Sequence, residues 1–228
     1  MESRASLRRN RKWSPAISIK NGKETEFLEQ IRINAMEDKR IMQVEEHLLP
    51  MAFARAVDVD FTFAYMGSLM TFLAKGSETG GRFALMEYHT KPGNEPPPHV
   101  HEREHELYFV LEGTMRFYCE DKTLDIGVGD VVFLPQGKAH AFICTSNVVR
   151  TLIFVQATGQ DAVGLDRYFL AMGEPAGSMV LPESAVTYAV ADPEHAIRVG
   201  ASNGIRILSP SEAQHALPQY PGFGAPVG

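Results

Sequence analysis

Four residues of the types that bind transition metals stand close together in this chain. His99, His101 and Glu106 lie in one short stretch, and His140 follows further along. Neutral imidazoles and a carboxylate suit a divalent first-row transition metal. Side chains alternate between the two faces of a strand, so His99 and His101 project from the same face. The spacing therefore predicts a single metal site formed by these four residues.

The position of Glu106 requires an irregularity in the backbone. It lies an odd number of residues from His101, which would put it on the opposite face of a regular strand. A bend or bulge must intervene, and the polar run at 102–105 can supply it. His140 follows the turn signal at 135–137, so we expect a second hairpin to deliver the fourth ligand.

The residues around these ligands resemble the two sequence motifs of the cupin superfamily. The first motif is filled at every defined position by Gly93, His99, His101, Glu106 and Gly113. The second is filled by Gly129, Pro135, Gly137 and His140, while Cys144 stands where the motif has Asn. A weaker similarity, over roughly 60–210, is to single-domain quercetinase-like cupins.

The resemblance implies a function that the spacing alone does not. Quercetinase-like cupins are metal-dependent dioxygenases, so the expected activity is oxidation by O2 of an aromatic, flavonol-like or polyketide-like enol or phenol. Glu106 is expected to be a metal ligand and also the base that takes the substrate's hydroxyl proton. The resemblance also implies a homodimer.

Two alternatives stay open at this point. One is a redox-neutral isomerase, cyclase, dehydratase or decarboxylase whose metal acts only as a Lewis acid. The other is a non-catalytic cupin that binds a small molecule. The metal itself is one of Fe, Mn, Ni, Co, Cu or Zn, because these ions share the ligand set and cellular supply helps to decide occupancy.

Composition excludes several classes of protein. The 228 residues are 44% hydrophobic and 22% charged, as in an ordinary soluble domain. A net charge of −6 argues against nucleic-acid binding. No apolar run approaches the length of a membrane span, and no secretory signal follows the first residues. The two cysteines are too few for a disulfide framework, so we expect reduced, buried thiols and a cytoplasmic location.

The chain is expected to have four parts. Residues 1–22 are basic and lack apolar periodicity, which favours a flexible arm, although a transit peptide or an anion-binding arm would have the same composition. Residues 23–50 carry an amphipathic helical pattern that must be buried against the barrel or a partner subunit. Residues 51–160 form the barrel, and 161–228 contain helices at about 161–172 and from Asp192, followed by an irregular tail after Pro210.

Short β-prone runs separated by glycine turns fill the central region. They predict an all-β, double-stranded jelly-roll (cupin) barrel with N- and C-terminal helical extensions. Strand residues that share the ligands' face should line a substrate pocket. The candidates are Tyr88, Phe109, Phe117, Phe133, Phe142 and Cys144. An aromatic pocket of this kind would favour a flat aromatic ligand.

Overall fold

The computed structural model describes residue 30 and residues 50–183 and 192–222. The basic arm expected at 1–22, and the helical extension expected at 23–50 apart from Gln30 and Pro50, lie outside the described residues. The chain divides into two units, Met1–Leu48 and Leu49–Gly228, and the architecture below is that of the second.

Twelve β-strands lie among the described residues. They are β1 (Thr62–Tyr65), β2 (Ser68–Ala74), β3 (Phe83–Thr90), β4 (His99–His101), β5 (Glu104–Glu112), β6 (Met115–Cys119), β7 (Lys122–Ile126), β8 (Val131–Leu134), β9 (His140–Cys144), β10 (Val149–Ala157), β11 (Glu174–Pro175) and β12 (Ile205–Ile207). Short 3-10 helices occupy Val59–Phe61 and Gly76–Glu78. The α-helices are α1 (Leu165–Met172), α2 (Pro193–Ser202) and α3 (Pro210–Ala216).

The strands form two antiparallel sheets that face each other. The larger has the order β11, β1, β2, β3, β10, β5, β8, and the smaller has the order β12, β4, β9, β6, β7. Burial alternates along β5 and β10, as expected of strands with one face on the core. Phe117, Phe142, Met86 and Ile153 fill the space between the sheets and are almost completely buried. The predicted jelly roll is confirmed.

The chain passes from one sheet to the other between β4 and β5. Residues Glu102 and Arg103 form a bend that ends β4 in the smaller sheet and starts β5 in the larger one. Thr158 donates its backbone N–H to the Arg103 carbonyl and holds this bend to the end of β10. The irregularity expected before Glu106 is therefore a crossing between sheets rather than a bulge within one strand.

Helix α1 packs one face on the barrel. Leu165, Tyr168, Phe169 and Met172 are buried at spacings of three and four residues, as in an amphipathic helix. Helix α2 begins where the sequence predicts, since the Asp192 carboxylate accepts the His195 backbone N–H at 2.8 Å. Among the described residues, no helix is both long and apolar enough to cross a bilayer.

The C-terminal part differs from the prediction in two ways. Residues 174–175 and 205–207 join the sheets as β11 and β12, although the sequence analysis places only helices and a tail there. The segment after Ser209 is not irregular, because Ser209 and Glu212 form a capping box that starts α3. Both cysteines are free and buried, as expected.

A substitution at Gly164 tests how tightly α1 is seated. A Cβ atom there would lie only 1.8 Å from the Asn203 carbonyl oxygen, in rigid backbone. We expect Gly164→Ala to destabilise the fold by about 1–3 kcal/mol. A loss of about 2 kcal/mol would lower the melting temperature, measured by calorimetry, by roughly 4–8 °C.

Gly177→Ala is the matched control, since no heavy atom lies within 4 Å of a Cβ at that exposed position. Equal melting temperatures for the two variants would show that α1 can shift away from Asn203 without cost.

Candidate metal centre

Strand β4 carries two of the predicted ligands on one face. It lies between β9 and β12 in the smaller sheet. His99 is paired with His140 of β9, which brings these two imidazoles side by side. On the other edge, Ile205 pairs with His101 and Ile207 with His99. Pairing on both edges fixes the position of the two histidine side chains.

Glu106 reaches the same point from the opposite sheet. It faces inward from β5, as do Glu104, Tyr108 and Val110 at alternate positions. The four predicted ligands offer atoms that all lie within 4.8 Å of one another, and all four side chains are buried. The structure therefore brings together His99, His101, Glu106 and His140.

The distances between the ligand atoms are short. His99 Nε2 lies 3.2 Å from His101 Nε2 and 3.1 Å from His140 Nε2. Glu106 Oε2 lies 3.2 Å from His140 Nε2 and 3.5 Å from His101 Nε2. An ion bonded to nitrogen and oxygen ligands at about 2.0–2.2 Å sets separations of roughly 3 Å between them. The spacing matches that of ligands around one ion.

The outer nitrogen of each imidazole faces an oxygen that can only accept. His99 Nδ1 lies 2.9 Å from the Pro97 carbonyl, and His140 Nδ1 lies 3.0 Å from the Lys138 carbonyl. His101 Nδ1 lies 2.8 Å from Glu104 Oε1. Each Nδ1 must therefore carry the proton that it donates. In the neutral ring, the lone pair of Nε2 then points at the other ligands.

This arrangement fits a metal ion. Three converging lone pairs and a carboxylate repel one another unless a cation lies between them. Both oxygens of Glu106 are buried and have no hydrogen-bond partner among the described residues. A buried, unpaired carboxylate is costly, and coordination of a metal removes that cost. The donor set of three imidazoles and one carboxylate suits a divalent first-row ion.

Electrostatics keep His99 and Glu106 in the forms that a metal requires. Burial, followed by the neighbouring His140 and His101, lowers the pKa of His99 to about 3. Burial opposes the ionised form of Glu106, but the imidazoles outweigh it and lower its pKa to about 2. His99 is thus neutral and Glu106 is ionised near neutral pH, as metal coordination requires.

A cavity opens beside His99 and Glu106. It is a narrow cavity of about 400 Å3, a volume that includes its open mouth. Its walls come from β1, β5, β12, α1 and the loop before β4. The lining residues are Tyr65, Pro96, Pro97, His99, Glu106, Tyr108, Leu165, Tyr168, Phe169, Ile205 and Ile207. The space is narrow, and four of its lining residues, Tyr65, Tyr108, Tyr168 and Phe169, are aromatic.

The cavity contains phenol groups as well as apolar rings. The Tyr65 and Tyr168 hydroxyls form a buried hydrogen bond of 2.8 Å. Tyr108 lies two residues after Glu106 on the same face of β5. Burial, and next the charge of Glu106, hold the pKa of Tyr108 well above its usual value. Its phenol therefore keeps its proton and can donate a hydrogen bond.

Four of the six predicted pocket residues lie in the core instead of the cavity wall. Phe142 packs against Tyr88 and Phe117, with ring centroids 6.3 and 5.3 Å away, and Tyr108 separates this cluster from the cavity. Cys144 is also completely buried, and its backbone N–H is bound by Glu95. These side chains support the cavity wall from behind.

Phe109 and Phe133 differ more strongly from the prediction. They are 36% and 52% exposed, on the outer face of the larger sheet. Phe109 lies three positions after Glu106, so strand alternation turns it away from the ligands. Phe133 precedes the inward-facing Leu134, which is paired with Glu106.

Sequence reasoning also missed residues of the cavity wall. Tyr65, Tyr168 and Ile205 come from elements far apart in the chain, and no local pattern connects them. Glu104 could have been found from the sequence, because it lies two residues before Glu106 on β5 and strand alternation therefore places both on the same face. The neighbouring His105, by contrast, faces outward and accepts the Gln136 backbone N–H.

Comparison with known proteins agrees with the motif analysis. Residues 86–155 match the family model described as Cupin domain, and this stretch contains all four ligands. A curated relative, the oxalate-binding protein of Thermotoga maritima, is 38% identical over 56 residues. The match covers 25% of this chain and 46% of that protein, so the chain matches about half of the relative's length. The quercetinase-like subtype stays a prediction.

Solved structures of similar fold are more distant. A predicted oxalate decarboxylase from Thermotoga maritima has 23% identity and a TM-score of 0.41, covering 46% of this chain and all of that one. Pac13 from Streptomyces, described as a nucleoside dehydratase, has 14% identity and a TM-score of 0.38. That alignment covers 47% of this chain and 86% of Pac13.

Metal binding is directly testable at this centre. We expect one divalent transition-metal ion per chain, and His140→Ala should weaken binding by about tenfold or more because a ligand is lost. The measurement is titration calorimetry with Zn2+ and Mn2+. Metal at 100 times its dissociation constant should also stabilise the wild-type fold by about 2.7 kcal/mol.

His195→Ala is the control, since His195 is exposed on α2. Identical affinities for the two variants and the wild type would exclude this cluster as the metal site.

Proposed function

We propose that this protein is a metal-dependent enzyme that acts on a small, flat substrate bound through an oxygen atom. The observation that carries the proposal is that two members of the four-residue cluster, His99 and Glu106, line an aromatic cavity. A substrate oxygen that enters the cavity reaches His99 and Glu106 directly. The apolar rings favour an aromatic or enolic body, and the phenols can hydrogen-bond its oxygen substituents.

Glu106 is the proposed base. Both of its oxygens lack hydrogen-bond partners, and it faces the cavity as well as the imidazoles. A carboxylate that binds a metal through one oxygen keeps the other oxygen free to take a proton from a substrate hydroxyl at hydrogen-bond distance. The substrate is then held as an oxyanion, which carries its excess electron density into the ring or enol.

Within this class, we propose a dioxygenase acting on an enol or phenol. The bound metal would supply Lewis acidity and, if redox-active, one-electron chemistry toward O2. The oxyanion is oxidised, O2 is reduced, and both oxygen atoms enter the product. The apolar walls limit the access of water to the electron-rich substrate. Support comes from the motif resemblance and from the aromatic cavity.

Tyr108 favours a second candidate, a redox-neutral isomerase, dehydratase or decarboxylase. A neutral phenol and an ionised carboxylate lie two residues apart on one face of β5 and line the same cavity. Such a pair can deliver a proton to one atom of a substrate after removing one from another. This chemistry needs the metal only as a Lewis acid and runs without O2.

Glu106→Gln separates the role of base from that of ligand. The amide still offers an oxygen to a metal but cannot take a proton, so we expect turnover to fall by about 100-fold or more. Metal content should fall much less. The measurements are metal analysis and oxygen-electrode traces with a panel of flavonols and polyphenols, repeated by product analysis under anaerobic conditions.

Glu102→Gln serves as the control, because Glu102 is exposed and lies just outside β4. Equal losses of metal content and turnover in Glu106→Gln would show that Glu106 acts only as a metal ligand and not as a base. Turnover that persists without O2 would select the redox-neutral candidate. If the metal-loaded protein turns over none of these substrates, the remaining hypothesis is a non-catalytic cupin that binds a small molecule.

Tyr108→Phe tests the second candidate. The ring keeps its packing against Phe117 and Phe142, at 4.9 and 5.8 Å, while the hydroxyl is lost. If Tyr108 donates the proton, kcat should fall by about 100-fold with stability unchanged.

Tyr88→Phe is the matched control, since the Tyr88 hydroxyl contacts Ser68 and Asn94 rather than the cavity. Equal kcat values for Tyr108→Phe and wild type would remove Tyr108 from the reaction.

A further inference from the structure

Glu104 is a buried carboxylate that the proposed reaction does not use. It is 1% exposed and lies three residues after His101, at the start of β5. Its Oε1 accepts from His101 Nδ1 at 2.8 Å and from the Leu165 backbone N–H at 3.1 Å. Its Oε2 accepts from the Gly164 backbone N–H at 2.7 Å. Three donors therefore point at the two oxygens of this side chain.

The three imidazoles are not supported equally. His99 and His140 donate to backbone carbonyls, whereas His101 donates to an ionisable side chain. A carboxylate is a stronger acceptor than a carbonyl, and it draws the Nδ1 proton away from the ring. Such a partner fixes the tautomer and makes the opposite nitrogen a better electron donor to a metal.

The other end of Glu104 is attached to α1. Gly164 and Leu165 supply the first free N–H groups of this helix, where a negative charge is favoured. The position of Gly164 is fixed in turn by the close approach of the Asn203 carbonyl. Glu104 thus joins His101 to the helix whose residues Leu165, Tyr168 and Phe169 form one wall of the cavity.

We propose that Glu104 is a positioning residue of the metal centre. It holds His101 as the Nδ1–H tautomer with Nε2 directed at the metal, and it is itself held by the backbone N–H groups of Gly164 and Leu165 at the start of α1. This inference rests on the metal centre proposed above. According to this inference, metal affinity depends on Glu104 although Glu104 is not itself a ligand. Glu104 also links the ligands to the cavity wall.

Glu104→Gln tests the proposal with little change in shape. A carboxamide has one accepting oxygen and one donating nitrogen, so it cannot accept from three N–H groups placed around two atoms. Either a helix amide loses its partner or His101 must move its proton to Nε2, where it opposes the metal. We expect the dissociation constant for Zn2+, measured by competition with a chelator, to rise by about 10–100-fold.

Asp166→Asn is the matched control. Asp166 is a buried carboxylate in the first turn of the same helix, and it binds the Gly76 backbone N–H instead of a histidine. A general loosening of α1 would weaken Zn2+ binding equally in both variants and would overturn the proposal. Zn2+ affinity unchanged in Glu104→Gln would also overturn it, whereas a wild-type chain that binds no Zn2+ would instead remove the metal centre itself.

The tautomer of His101 gives a second test, and its first part needs only the wild-type protein. Nitrogen-15 spectra of the imidazoles in the Zn2+-loaded wild type should show a proton on Nδ1 of His101, shifted downfield by its carboxylate partner. The same signal should be lost or moved in Glu104→Gln, with the His99 and His140 signals retained. A wild-type His101 protonated at Nε2 would contradict the proposed role.

Discussion

Three imidazole rings direct their unprotonated nitrogens at one point, and the rest of the site follows from this constraint. Lone pairs about 3 Å apart repel each other. The rings therefore stay in place because the outer nitrogen of each one is hydrogen-bonded and because the point between them favours a cation. The acceptors at the outer nitrogens are two carbonyls and the Glu104 carboxylate. The fold thus determines the protonation of the ligands as well as their position.

The two sheets contribute different parts of this arrangement. The smaller sheet supplies all three histidines through the pairing of β4 with β9, and the larger sheet supplies Glu106 from β5. The chain crosses from one sheet to the other at Glu102 and Arg103. The carboxylate therefore approaches from a direction that no single strand could provide. The same crossing places Glu104 next to His101.

The ligand set could be predicted from the sequence because its information is local. The spacing of His99 and His101 expresses strand alternation, and the helices at 165–172 and 193–202 carry clear periodicity or capping signals. The cavity could not be predicted, since its walls come from elements brought together only by tertiary packing. A strand as short as Ile205–Ile207 has no measurable periodicity. Two of the wrong predictions could have been avoided from the sequence. Strand alternation from Glu106 turns Phe109 away from the ligands, and the pair Ser209 and Glu212 is the sequence signal of a capping box that starts α3.

The covering of β4 by β12 bears on the order in which the protein is made. A ribosome completes β4, β5 and β9 long before it reaches Ile205–Ile207. Until then, the strand that carries His99 and His101 is an open sheet edge, with backbone groups that can recruit a foreign strand. Pairing of β12, the last strand of the described chain, covers the edge that carries His99 and His101 and removes this route to association.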